Sequence, residues 1–134
     1  MQISDSQTDK ASLAKFGVEA LRLIHSGRFT ELAHCFGYAL AFDREPSLAI
    51  EEDLATCLAD LDTTGFEPLT EDPELSVQYF ERNETGLLGV VVGELPAMGG
   101  RKILVELIVS SRGNDMYLTL EQISPRRASL DPLL

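Results

Sequence analysis

The sequence predicts an α+β fold: three N-terminal helices packed on a four-stranded antiparallel meander sheet. Two observations carry this. Apolar residues in the first half recur at the 3.6-residue spacing of helices, and from Ser76 onward the period drops to about 2. The late strands are also joined by short glycine-containing turns, which suit hairpins and not parallel crossovers.

In the first helix, expected over residues 11–26, Leu13, Phe16, Gly17, Ala20, Leu21 and Ile24 fall on one face and Gly27 supplies a stop. Phe29, Leu32, Ala33, Phe36 and Leu40 repeat the pattern, giving a second helix over 30–42 with Thr30 as a plausible cap. Pro46 can open a third helix, because its missing N–H costs nothing in a first turn. Ile50, Leu54, Cys57, Leu58 and Leu61 form that helix's buried stripe, and Glu51, Glu52 and Asp60 lie off it.

Four strands follow, "SVQYFER", "LLGVVVGEL", "RKILVELIVS" and "MYLTLEQI", separated by "NETG", "PAMGG" and "RGND". The second and third are apolar on both faces and are expected to be central. Gly89 and Gly93, four apart, share one face, where a helix or a ligand could approach the backbone closely or the strand could bend.

At 134 residues, with 44% hydrophobic and 25% charged residues, the chain has the size and composition of one folded domain spanning 1–134. Its ends, about 1–10 and 125–134, fall outside the periodic pattern and are expected to be loosely held. No segment approaches the roughly 18 apolar residues of a membrane helix, and the start is too polar for a signal peptide, so a cytoplasmic location is expected. Cys35 and Cys57 sit in apolar helical patterns and read as small hydrophobes in a reducing compartment.

The net charge of −11 is concentrated. Ten acids and no Lys or Arg lie between Glu45 and Glu74, leaving the rest of the chain near neutrality with 12 acids against 11 bases. Such a field repels nucleic acid and anionic membrane and favours encounters with cations or basic proteins.

Within that run, "DLDTTGFEPLTE" (residues 60–71) places Asp60, Asp62, Thr64, Gly65 and Glu71 at nearly the spacing of an EF-hand calcium loop. An EF-hand needs an outgoing helix to carry its last Glu, and here Pro73 and a strand follow. The expected reading is therefore a helix end capped by Gly65 and an acidic linker, with no metal and no cofactor. His34, Cys35 and Cys57 lack zinc-ligand spacing, and His25 suits the negative end of the first helix. Glu106 interrupts "ILVELIV" in a central strand. It is a raised-pKa acid if its face meets the helices, and a solvated residue if that face is open. "RRAS" near the C-terminus resembles the basic recognition motif of a cyclic-nucleotide-dependent protein kinase.

Two wider resemblances follow. "ALRLIHSGRFTELAHCF", with the late antiparallel strands, resembles nuclear transport factor 2-like (cystatin-like) domains, although that family usually places strands before its third helix. The resemblance implies a cone-shaped small-molecule or catalytic pocket, where Tyr79, Glu106 and Tyr117 would be the residues to seek. In size, acidity and concentrated acidic patch the chain is also similar to bacterial toxin-immunity proteins. That similarity implies a non-enzymatic inhibitor of a basic toxin such as a nuclease, with Glu51, Glu52, Asp53, Asp60 and Asp62 as contacts and Phe66 as an apolar anchor. The expected partner is a basic protein, not nucleic acid or membrane, and both monomer and homodimer are open because sheet edges could pair between chains.

Overall fold

The computed structural model describes residues 1–126. Three helices, α1 (Lys10–His25), α2 (Phe29–Phe36) and α3 (Pro46–Asp60), precede four long strands, and a two-residue strand opens the chain. In sequence order the strands are β1 (Gln2–Ile3), β2 (Leu75–Tyr79), β3 (Leu87–Ala97), β4 (Arg101–Arg112) and β5 (Asp115–Arg126). They form one sheet in the order β1-β5-β4-β3-β2, every pair antiparallel. The α+β class and the four-strand meander therefore hold. The strand count is corrected from four to five, because Gln2 and Ile3 pair with Tyr117 and Met116 in the segment expected to be loose. Ile3 is buried there; two residues cannot display a period, so patterning could not mark this strand.

The helices lie on one face of the sheet. α1 packs on β2 and β3, α3 on β5, and α2 lies against both other helices. Val91, Leu95, Ile103, Val105, Leu107, Leu118 and Leu120 point inward with no exposed surface, meeting Leu13, Leu21, Ile24, Leu32, Phe36 and Ile50. Burying each such side chain contributes roughly 1.5–3 kcal/mol before entropy is counted. A register shift opposite Glu106 and Leu107 leaves Glu121 unpaired, so Leu118, Leu120 and Ile123 all face the helices despite the odd spacing between the last two.

Gly17 and Gly93 set how closely α1 approaches. A Cβ on Gly93 would lie 2.7 Å from Leu75 Cδ1 and 2.8 Å from Leu21 Cδ2, and one on Gly17 would lie 2.8 Å from Leu75. Gly89 faces the same side, so the expectation of a close helix approach at this glycine pair holds at Gly93.

Several boundaries differ from expectation. α2 ends at Phe36, six residues early, because Gly37 adopts φ 71°; Leu40 belongs to a separate 3-10 turn, Ala39–Ala41. The cap position of α2 is Arg28, so Thr30 lies inside the helix. Pro46 does open α3, preceded by Glu45, whose side chain accepts from the Leu48 N–H. β5 continues through Ser124, Pro125 and Arg126, beyond the expected end of its pattern. In "RRAS" only Arg126 belongs to the described residues; Ser129 lies outside them.

The end of α3 is also corrected. Its stop is Asp62, not Gly65: the Asp62 N–H donates to Ala59 O and the Thr63 N–H to Leu58 O, both at 3.0 Å, with Asp62 at φ 55°. α1 ends with the same pair of bonds around Gly27 at φ 74°. Glycine is the residue this left-handed position favours, so Asp62→Gly is expected to raise stability by about 0.5–1 kcal/mol, read as a higher urea midpoint.

Candidate functional site

The acidic segment occupies the outer side of α3 and the linker between α3 and β2. Leu48, Glu51, Glu52, Ala55, Ala59 and Asp60 are exposed on α3, opposite Ile50, Leu54 and Cys57, which are buried. Asp62, Glu67, Glu71, Asp72 and Glu74 then extend the charge along the linker, all exposed. Of the ten acids in this run, only Asp53 and Asp72 have an ion-pair partner among the described residues. Asp72 pairs with Arg22 of α1.

Asp53 differs from its neighbours. Its carboxylate accepts the Tyr38 hydroxyl at 2.5 Å on Oδ2, and from Arg44 Nη1 at 2.9 Å and Nη2 at 3.2 Å. The same guanidinium donates to Leu40 O at 2.7 Å and Ala41 O at 3.2 Å, so it clamps the turn between the 3-10 helix and α3. The Arg44 guanidinium, helped by the Tyr38 hydroxyl, holds the Asp53 carboxyl below the usual carboxylate range against the opposing effect of burial. Burial and then the Asp53 carboxylate push the Tyr38 phenol well above its ordinary value. Asp53 is thus committed inside the fold, while Glu51, Glu52, Asp60 and Asp62 face solvent.

Phe66 is half-buried. Its ring stacks on His25 at a centroid distance of 5.4 Å, and its backbone bridges to Ala97. His25, at the end of α1, donates from Nε2 to the Glu67 carbonyl at 2.7 Å, so these rings pin the acidic linker to the helix end. No outgoing helix follows the 60–71 stretch; the chain runs through a loop to Leu75. Among the described residues no three His, Cys, Asp or Glu side chains group in a way that could hold a metal ion.

The three candidate pocket residues do not converge. Glu106 pairs with Val92 and Gln122 on the sheet face turned away from the helices, and Tyr117, opposite Ser110, shares that face. Tyr79 sits opposite Gly89 on the helix-bearing face, at the sheet edge, where its hydroxyl donates to the Thr8 carbonyl at 2.6 Å. The outer face around Glu106 carries half-buried Val90, Val92, Leu104 and Ile108, and near one end Glu94 pairs with Arg126 and Lys102. Open grooves of about 320 Å³ along Pro68–Glu74 and about 460 Å³ beside Phe29 and His34 are lined by none of the three.

Cys57 is buried and its thiol donates to Ile123 O at 3.5 Å; burial pushes its pKa up to about 11, away from thiolate reactivity. Cys35 is half-buried, and both cysteines are free. No helix among the described residues is long and apolar enough to cross a membrane.

Sequence reasoning missed two features here: the capture of Asp53 by Tyr38 and Arg44, and Phe42, which is 80% exposed at φ 55°. The nine-residue spacing of Arg44 and Asp53 across a helix start was the available signal for the first. No family model, characterised protein or solved structure matches the chain.

Proposed function

We propose that this chain is a non-enzymatic acidic protein-binding domain, in its sharpest form an immunity- or antitoxin-type inhibitor of a basic toxin such as a nuclease. The observation that carries the reading is the unneutralised acidic surface of α3 and its linker. Eight of the ten acids between Glu45 and Glu74 have no ion-pair partner among the described residues, and the nearest base in sequence, Arg44, is held by Asp53. A nuclease groove is basic because it binds phosphates, so a fixed array of carboxylates can occupy it and block access. The solvent-facing contacts are Glu51, Glu52, Asp60 and Asp62; Asp53 contributes by shaping the surface.

Affinity capture from extracts of the source cells, at low and at high ionic strength, tests this. A basic protein retained at low salt and released at high salt is the expected result, since exposed charges are screened beyond about 10 Å at 0.1 M salt. Combining Glu51→Gln, Glu52→Gln and Asp60→Asn should slow association at low salt by roughly tenfold. Failure to retain any basic protein at low ionic strength would overturn the reading.

A further inference from the structure

We infer that Phe42 and Leu48 are the apolar anchor of the docking surface, and that they fit a protein partner whose apolar pocket is ringed by Lys and Arg side chains. The inference rests on the protein-binding reading and specifies which part of the acidic half makes the central contact. Phe42 is the most exposed large apolar residue of the described chain at 80%, and Leu48 follows at 56%. They stand either side of the start of α3, six residues apart, and the exposed acids Asp43, Glu45, Glu51 and Glu52 surround them in the sequence.

The conformation of Phe42 is fixed by its surroundings. Its φ of 55° belongs to a region that side chains with a Cβ rarely adopt. The turn is held from both sides: the Arg44 N–H donates to Ala41 O at 3.0 Å, and the Arg44 guanidinium ties Leu40 O and Ala41 O to the Asp53 carboxylate. The ring is therefore presented from a clamped backbone, which reduces the ordering cost of inserting it into a partner. Aromatic anchors ringed by charge are the usual shape of an energetically dominant contact.

Charge selects the partner. Arg44 is consumed by Asp53, so the exposed groups around Phe42 and Leu48 on this segment are carboxylates. Phosphates of nucleic acid and anionic lipid are repelled by them. A cationic protein surface with an apolar recess satisfies both the ring and the charge.

Two labelled synthetic helical peptides of equal positive charge serve as probes, one of Lys and Leu, the other of Lys and Ala. Binding to the full chain is followed by fluorescence anisotropy at low and at high salt. The wild-type chain is expected to prefer the Lys–Leu peptide by about tenfold or more. Phe42→Ala should abolish that preference while leaving affinity for the Lys–Ala peptide unchanged, and Leu48→Ala, which lies on an exposed helix face, should reduce it independently of any folding defect at the turn. A preference that survives in both variants, or is absent from the wild type, overturns the anchor but leaves the charge reading standing if both peptides bind in a salt-dependent way. If neither peptide binds at low salt, the acidic-surface reading itself fails.

Discussion

Gly93→Val is expected to lower the unfolding free energy by about 2–3 kcal/mol, because it forces side-chain volume into the contact between α1 and the sheet. The first atom of any side chain at this position would already lie 2.7 Å from Leu75 Cδ1 and 2.8 Å from Leu21 Cδ2. Leu75 is half-buried near the sheet edge and can move aside, but Leu21 has no exposed surface and is confined by the core. Valine adds two methyl groups beyond that atom, so α1 must lift from β3 or Leu21 must leave its rotamer. For a chain of this length the loss corresponds to roughly 3–5 °C in Tm per kcal/mol. Gly65→Ala is the matched control: its nearest neighbour would be Met98 Sδ at 3.9 Å, and its φ is not positive. There the restricted unfolded chain should make stability equal or slightly higher. Urea unfolding of both variants checks the pair, and a Gly93→Val protein with an unchanged midpoint would show that α1 does not sit this close to the sheet.

The same glycines show what could be read from the amino-acid sequence. Periodicity located α1, α3 and the four long strands because each buries one regular face, and the i, i+4 spacing of Gly89 and Gly93 placed both on one face, which in the structure is the helix side. Regularity failed where a single residue redirected the chain. Gly37 ended α2 although Leu40 continued the apolar pattern, because a positive-φ turn followed by a 3-10 helix buries Ala41 on another geometry. Glu121 shifted the register of β5 by one residue, which no alternation pattern displays. At the surface, composition located the acidic segment, but not which of its members are free. Asp53 is one of ten similar acids in the sequence and becomes distinct only when Tyr38, bridged to Leu120 of β5, brings its hydroxyl across. Phe66 and Phe42 differ for a related reason: both are aromatics outside the helices and long strands, but Phe66 packs against the core and stacks on His25 while Phe42 stays exposed.

Asp53→Ala is expected to destabilise the protein by about 2 kcal/mol, because it leaves the hydroxyl of Tyr38, a buried residue, without its acceptor. Tyr38→Phe, which removes the hydroxyl and its need for a partner together, should cost about 1 kcal/mol. The two losses should not add, since both variants delete the same hydrogen bond. The pH dependence has a definite sign. Hydrogen bonding to Arg44 first, and to Tyr38, depresses the folded-state pKa of Asp53 below its unfolded value near 3.9. Its contribution is therefore fully present above about pH 4 and disappears as pH falls through the folded value. The raised phenol of Tyr38 acts at the other extreme, contributing fully below about pH 10 and less as pH rises beyond it. Denaturant midpoints of wild type and Asp53→Asn between pH 5 and 2 should converge on acidification, because protonation erases in the wild type what the substitution has already removed. Parallel curves would mean that the carboxylate is not paired in the folded protein. Removing the Asp53 carboxylate would also release the Arg44 guanidinium that holds Leu40 O and Ala41 O, so acid stability and the proposed presentation of Phe42 depend on the same carboxylate.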